Sequence, residues 1–153
     1  MNTLGRILYG LVGNITRHLP GWRAERVRVV LRTETNEVLL VKTWLSQQRW
    51  ALPGGGAEKH ETTEQAAVRE LSEETGIRIE RSALRYLTTV RSERLRADLV
   101  MFTAEVQRRD LPVLQWPYNW EIIDRQWHPA GALPDLVSGP TKHAIALAFN
   151  SEN

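Results

Sequence analysis

The 153-residue sequence contains no cysteine. That absence excludes disulfide scaffolds, thiolate zinc sites, iron–sulfur clusters and cysteine nucleophiles together. It also fits a reducing, cytoplasmic setting. Long hydrophobic runs are missing as well: no stretch of about 18 apolar residues offers a membrane-spanning helix. Neither a G-x-x-x-x-G-K-[ST] phosphate loop nor an H-E-x-x-H zinc helix occurs. The histidines, at positions 18, 60, 128 and 143, are too scattered for their spacing to suggest a metal site. Internal repeats and low-complexity segments are absent. Net charge is scarce too. With 20 basic and 18 acidic side chains the chain carries only +2, which points to no stable nucleic acid complex.

What is present describes one globular domain, since 42% hydrophobic content over this length suffices for a core without staples. The charge is unevenly spread. Residues 1–50 carry eight basic and three acidic side chains, and residues 78–109 carry eight and four. Between them, residues 55–77 hold two basic and six acidic side chains, a net charge of −4. An acidic block flanked by cationic ones could hold a divalent metal and attract an anionic substrate; ordinary surface charge would look the same.

Residues 1–22 read as a helical extension to a domain over 23–153. Met1, Leu4, Ile7, Leu8, Leu11, Val12, Ile15 and Leu19 recur at helical spacing, and Pro20-Gly21 ends the pattern. Such a stripe could dock on the domain or on a second copy in a homodimer. With Arg6, Arg17 and Arg23, residues 1–19 could instead make peripheral contact with a membrane surface.

From Glu25 the period changes. Arg26–Arg32 and Val38–Val41, joined at Thr35-Asn36, read as a hairpin of strands. Pro53-Gly54-Gly55-Gly56 is a compact breaker, and Thr62–Thr75 a helix stopped by Gly76 at its C-terminal cap. Further strands are predicted over Leu84–Val90, Leu99–Val106 and Glu121–Trp127, and Gly139-Pro140 opens a last helix. The composition of elements is mixed α and β.

The chemistry concentrates on the central helix. Glu70, Glu73 and Glu74 stand at i, i+3 and i+4 and share one face, with Ala67, Val68 and Leu71 expected on a separate apolar side. Like charges so spaced repel, and a hard divalent cation such as Mg²⁺ would convert that repulsion into coordination. A solvated acidic face steadied by Arg69 is the plainer account of the same residues.

Gly55, Glu61, Arg69, Glu70, Leu71, Glu73, Glu74, Gly76 and Ile77 together spell G-x5-E-x7-R-E-U-x-E-E-x-G-U, with U aliphatic. This sequence resembles the Nudix hydrolases at all nine fixed positions of their signature. The likeness extends through the Trp50–Gly55 approach to about residues 25–135. The resemblance implies an α/β/α sandwich around a mixed β-sheet, here with an extra N-terminal amphipathic helix. It implies metal ligation (Mg²⁺ or Mn²⁺) by Glu73 and Glu74, with Glu70 as a further ligand or a base. Arg69 would orient these carboxylates, Glu61 would brace the loop and reach metal through water, and the Gly55 carbonyl would be another metal contact. His60 departs from the pattern, standing where many members have glycine.

The implied reaction is cleavage of a diphosphate linkage in a nucleoside diphosphate derivative by a metal-assisted water. Glu70, Glu121 and Glu93 are the candidates for its base. A catalytically silent nucleotide-binding module with the same fold is the alternative. The markers of several subfamilies are missing: neither proline nor tyrosine occurs at Ser92, Glu93, Arg94 and Leu95. A nucleoside triphosphate and a nucleotide sugar both remain open as substrates. Trp44, Trp116, Tyr118 and Trp120 could stack on a base or merely pack, and Arg91, Arg94 and Arg96 could meet phosphates or water.

Overall fold

The computed structural model describes residues 24–43, 49–93, 95–111 and 122–150. The amphipathic stretch over 1–22 lies outside them, as do Trp44, Arg94, Trp116, Tyr118, Trp120 and Glu121. Among the described residues no helix is long and apolar enough to cross a membrane.

Strand β1 (Ala24–Thr33) is rich in valine and runs parallel to β5 (Ala97–Val106) along its whole length. β4 (Arg85–Ser92) pairs antiparallel with the far edge of β5. Asn36, at a φ of +60°, turns the chain from β1 into β2 (Glu37–Thr43), a conformation asparagine tolerates better than most residues. β1 and β2 are not the full hairpin that their sequences suggest. They share one register pair, Arg32↔Val38, and then separate.

The gap is filled by the chain that follows. β3 (Trp50–Ala51) pairs with β2, and the next residues bond to β1 instead. The Val27 amide donates to the Gly55 carbonyl at 2.9 Å, and the Val29 amide to the Pro53 carbonyl at 3.0 Å. The proline–glycine run is therefore built into the sheet as well as breaking a strand. On the opposite edge of β2 lies β6 (Ile122–Pro129), antiparallel. The main path of the sheet is β3-β2-β1-β5-β4, mixed in direction.

Two helices cover the two faces. Val27, Val29 and Leu31 of β1, with Val100, Phe102 and Ala104 of β5, pack against Ala66, Ala67 and Leu71 of α1 (Thr63–Thr75). Val30, Leu40, Leu99 and Met101 face the other way, onto Ala144, Ile145 and Ala148 of α2 (Gly139–Asn150). Strand alternation sorts these side chains, and burial on both faces explains why the strands read as near-continuous apolar runs. The result is the α/β/α sandwich. The C-terminal end of α2 is tied to the sheet by Arg32, which donates to the Ala148 carbonyl at 3.2 Å and pairs with Glu105 at 2.7 Å.

The loop before α1 carries one backbone cost. His60 adopts a φ of +70°, where a side chain is strained, and its side chain is exposed. Glycine takes this conformation freely, so relief of strain should exceed the added chain entropy of the unfolded state. His60→Gly is expected to stabilise the protein by about 1 kcal/mol, raising Tm by roughly 2–4 °C. A lower Tm on calorimetry would mean that the imidazole makes a contact worth more than the strain.

Candidate active site

Helix α1 begins and ends where local chemistry demands. Thr62 and Gln65 form a reciprocal capping box: the Gln65 amide donates to Thr62 Oγ1 at 3.3 Å, and the Thr62 amide to Gln65 Oε1 at 2.8 Å. Gly76, at a φ of +77°, closes the helix in the left-handed conformation, its amide bonded to the Ser72 carbonyl at 2.9 Å. The caps fix where the helix starts and stops, and packing sets its rotation and hence the direction of its carboxylates.

That rotation differs from the sequence expectation in one respect. The buried positions are Ala66, Ala67, Leu71, Glu74 and Thr75, while Val68 lies partly exposed at the margin. At ~100° per residue Glu70 and Glu74 both fall inside this stripe, between Ala66 and Ala67, and Glu73 lies just outside it. The acidic and apolar sectors overlap, because the helix packs beside the Gly54–Gly56 segment as well as on strands.

Glycine makes that packing possible. A Cβ on Gly54 would collide with the Val27 carbonyl, and the residue holds a φ of +138°, which other residues rarely adopt. A Cβ on Gly55 would collide with the Glu70 carboxylate. With neither present, the Gly54 amide donates to Glu74 Oε2 at 2.7 Å, a charge-assisted bond for a carboxylate only 7% exposed. Burial raises the Glu70 carboxyl above its ordinary range, opposed by Arg69 and reinforced by the neighbouring Glu73.

Arg69 holds the loop to the helix. Its Nε and Nη2 donate to the two oxygens of Glu61, each at 2.9 Å, and Nη2 also reaches the Gly56 carbonyl at 3.0 Å. Nη1 lies 3.1 Å from Glu70 Oε1 and 3.3 Å from Glu73 Oε2. Burial would raise the Glu61 carboxyl, but the Arg69 bonds, the Glu58 amide and the Arg69 charge outweigh it and leave it lowered. Arg69 thus ties Glu61 and the Gly56 carbonyl of the loop to Glu70 and Glu73 of the helix.

Among the described residues no three side chains of metal-binding type converge on one point in this arrangement. Arg69 draws Glu61, Glu70 and Glu73 to itself, as a cation among mutually repelling carboxylates must. The donor chemistry nonetheless fits a hard ion. Glu70, Glu73 and Glu74 supply carboxylate oxygens, and the Gly55 carbonyl, which accepts one amide hydrogen bond, retains a second lone pair. Oxygen donors of this kind suit Mg²⁺ or Mn²⁺.

The other expected residues are less closely tied. Glu121 lies outside the described residues, and Glu93 is exposed in the β4–β5 turn with no described contact to the box glutamates. Arg91 is committed to Asp98 at 2.9 Å. Arg28 was not anticipated. Its Nη1 donates to the carbonyls of Val27 and Gly54, and Glu74 and Glu70 act on its charge. In sequence it reads as the outward residue of an alternating strand; only the arrival of Gly54 beside β1 brings it to the carboxylates.

Comparison with known proteins bears on the family and the fold. The NUDIX domain profile matches residues 22–147. A Mycobacterium tuberculosis (strain ATCC 25618 / H37Rv) protein provisionally named 8-oxo-dGTP diphosphatase 3 is 37% identical over 104 residues. That match covers 68% of this chain but only 38% of the relative, so the two align over one part of the longer protein. An ADP-ribose pyrophosphatase from Streptococcus suis superposes with a TM-score of 0.68 at 22% identity, covering 86% of this chain and 96% of that one. The dihydroneopterin triphosphate pyrophosphohydrolase of E. coli gives 0.63 at 25% identity, covering 78% and 90%. With its complete box, its sandwich fold and the profile match over most of its length, the chain belongs to the NUDIX domain family of hydrolases.

Proposed function

We propose that this chain is a Mg²⁺- or Mn²⁺-dependent pyrophosphohydrolase that opens a phosphoanhydride bond in a nucleoside triphosphate or a nucleotide sugar. The observation that carries the reading is the pair of carboxylates, Glu70 and Glu74, seated against a side-chain-free Gly54–Gly55 backbone, with Glu73 on their open side. No packing requirement explains a glycine whose Cβ would displace a glutamate; a need for that glutamate at that spot does. The names of the similar proteins support the class: an 8-oxo-dGTP diphosphatase, an ADP-ribose pyrophosphatase and a dihydroneopterin triphosphate pyrophosphohydrolase. Each name describes attack on a phosphoanhydride, with a different organic group attached.

A divalent metal bound here would neutralise phosphate oxygens and acidify an attacking water. The chain's own residues divide the remaining work. The Gly54 amide fixes Glu74. Arg69 holds Glu73 and Glu70 in register and keeps Glu61 on the loop. Glu70, seated against Gly55 with its carboxyl raised by burial, is the candidate to receive a proton from water. Glu121 is the downstream competitor for that role.

A panel of nucleoside triphosphates and nucleoside diphosphate derivatives, incubated with Mg²⁺ and with Mn²⁺, should reveal the released nucleotide and phosphate products. Replacing Glu73 and Glu74 by Gln is expected to cut metal-dependent turnover by roughly 10²–10³-fold or more, with circular dichroism melts little changed. Unchanged turnover would overturn the reading. The two glycines should separate structure from chemistry. Gly55→Ala displaces only the tip of Glu70, so kcat should fall roughly 100-fold while the melt moves little. Gly54→Ala meets rigid backbone at a positive φ, so it should lower stability by about 2 kcal/mol or more, read by denaturant titration.

A further inference from the structure

Arg28 stands between Val27 and Val29, both fully buried against α1, so alternation sends its side chain to the opposite face of the sheet. The next residue on that side, Val30, is covered by α2, and Arg32 beyond it binds the Ala148 carbonyl. Arg28 instead turns to the segment wedged between β1 and β2. Its Nη1 bridges the carbonyls of Val27 and Gly54. Glu74 and Glu70 are the carboxylates that act on its charge.

Despite that proximity, Arg28 forms no ion pair within 4 Å among the described residues, and its Nε and Nη2 find no hydrogen-bond acceptor there. The residue is partly buried, and burial lowers the pKa of its guanidinium, opposed by Glu74 and Glu70. The contrast with other arginines is instructive. Arg69 engages three glutamates and a carbonyl through its fork, and Arg91 pairs with Asp98. A partly buried guanidinium pinned by one nitrogen, with two donors unpartnered among the described residues and the Glu74-binding Gly54 segment beside it, is arranged to receive an anion. Pinning also lowers the rotamer entropy lost when that anion binds.

We propose that Arg28 is a substrate-contacting residue: Nη1 holds Gly54, while Nε and Nη2 donate to a non-bridging phosphate oxygen of a diphosphate. The inference rests on the pyrophosphohydrolase reading and deepens it. With one phosphate drawn to the box glutamates through metal, Arg28 takes an oxygen of the same diphosphate from the β1 side. Recognition then depends on the diphosphate rather than on the base or sugar. The guanidinium fork is what a phosphate oxygen pair matches best.

The test uses the whole chain and its Arg28→Gln and Arg28→Lys variants with two non-hydrolysable probes, methylenediphosphonate and α,β-methylene-ADP. Affinities are read by calorimetry at saturating Mn²⁺, and Mn²⁺ affinity separately by water proton relaxation. Arg28→Gln is expected to weaken both probes by roughly 10–100-fold with Mn²⁺ affinity unchanged. Arg28→Lys keeps the charge but loses the fork, and it should weaken both by about 10-fold; it also carries the test if the Gln variant melts too low to assay. Probe affinity indifferent to both variants overturns the proposal. So does a loss of Mn²⁺ affinity that saturating Mn²⁺ fully restores, since Arg28 would then act only by holding Gly54. Failure of the unaltered chain to bind either probe overturns the pyrophosphohydrolase reading as well, and so is distinguishable from failure at Arg28 alone.

Discussion

The close approach of Gly54 and Gly55 to their neighbours governs the rest of the site. Gly54 lies against the Val27 carbonyl with no room for a Cβ, and Gly55 lies against the Glu70 carboxylate. Because the segment comes so near, its carbonyls can accept from β1 amides and complete the sheet in the gap that β2 leaves. Because it has no side chains there, α1 can settle beside it with Glu74 buried and hydrogen-bonded to the Gly54 amide. A substituent at either position would push backbone or carboxylate away. The sheet, the helix and the carboxylates are thus joined at two residues that contribute only main chain.

Electrostatics explains the next layer. Six acidic side chains within residues 55–77 would repel one another in any compact arrangement. Arg69 absorbs much of that repulsion, since its planar fork can serve Glu61 with two nitrogens and still reach Glu70 and Glu73. Glu74, by contrast, accepts a hydrogen bond from the Gly54 amide. Arg28, on the other side of the Gly54 segment, adds positive charge without neutralising a carboxylate directly.

Much of this was legible in the residues. The central helix was expected at Thr62–Thr75 and runs Thr63–Thr75, because a closing glycine is a local signal that needs no tertiary context; the T-x-x-Q box at its start, not used in that expectation, is another. The strands were expected within a few residues of their bounds, since buried β-branched runs survive almost any packing. The departures share a cause. The β1–β2 hairpin opens because another segment competes for the edge of β1. Val68 gives up its buried place, and Glu74 takes one, because what lies over the helix includes a glycine loop as well as strands. Arg28 drew no separate expectation from the sequence, because period-two alternation says which face a residue leaves but not what waits there.

By itself, the order of residues determined the box: the spacing of Gly55, Glu61, Arg69, Glu70, Glu73 and Glu74, the ends of the helix that carries most of them, and the hard-ligand chemistry of a chain without cysteine. Those properties are local or compositional, set within a few helical turns or by side-chain type alone. Only the tertiary structure decided which carboxylate is buried, which arginine is shared among glutamates and which keeps open donors, and how the proline–glycine run enters the sheet. Each of those depends on main chain from β1 meeting main chain from residues 53–56. Contacts between segments some 25 residues apart are fixed by packing, not by sequence period.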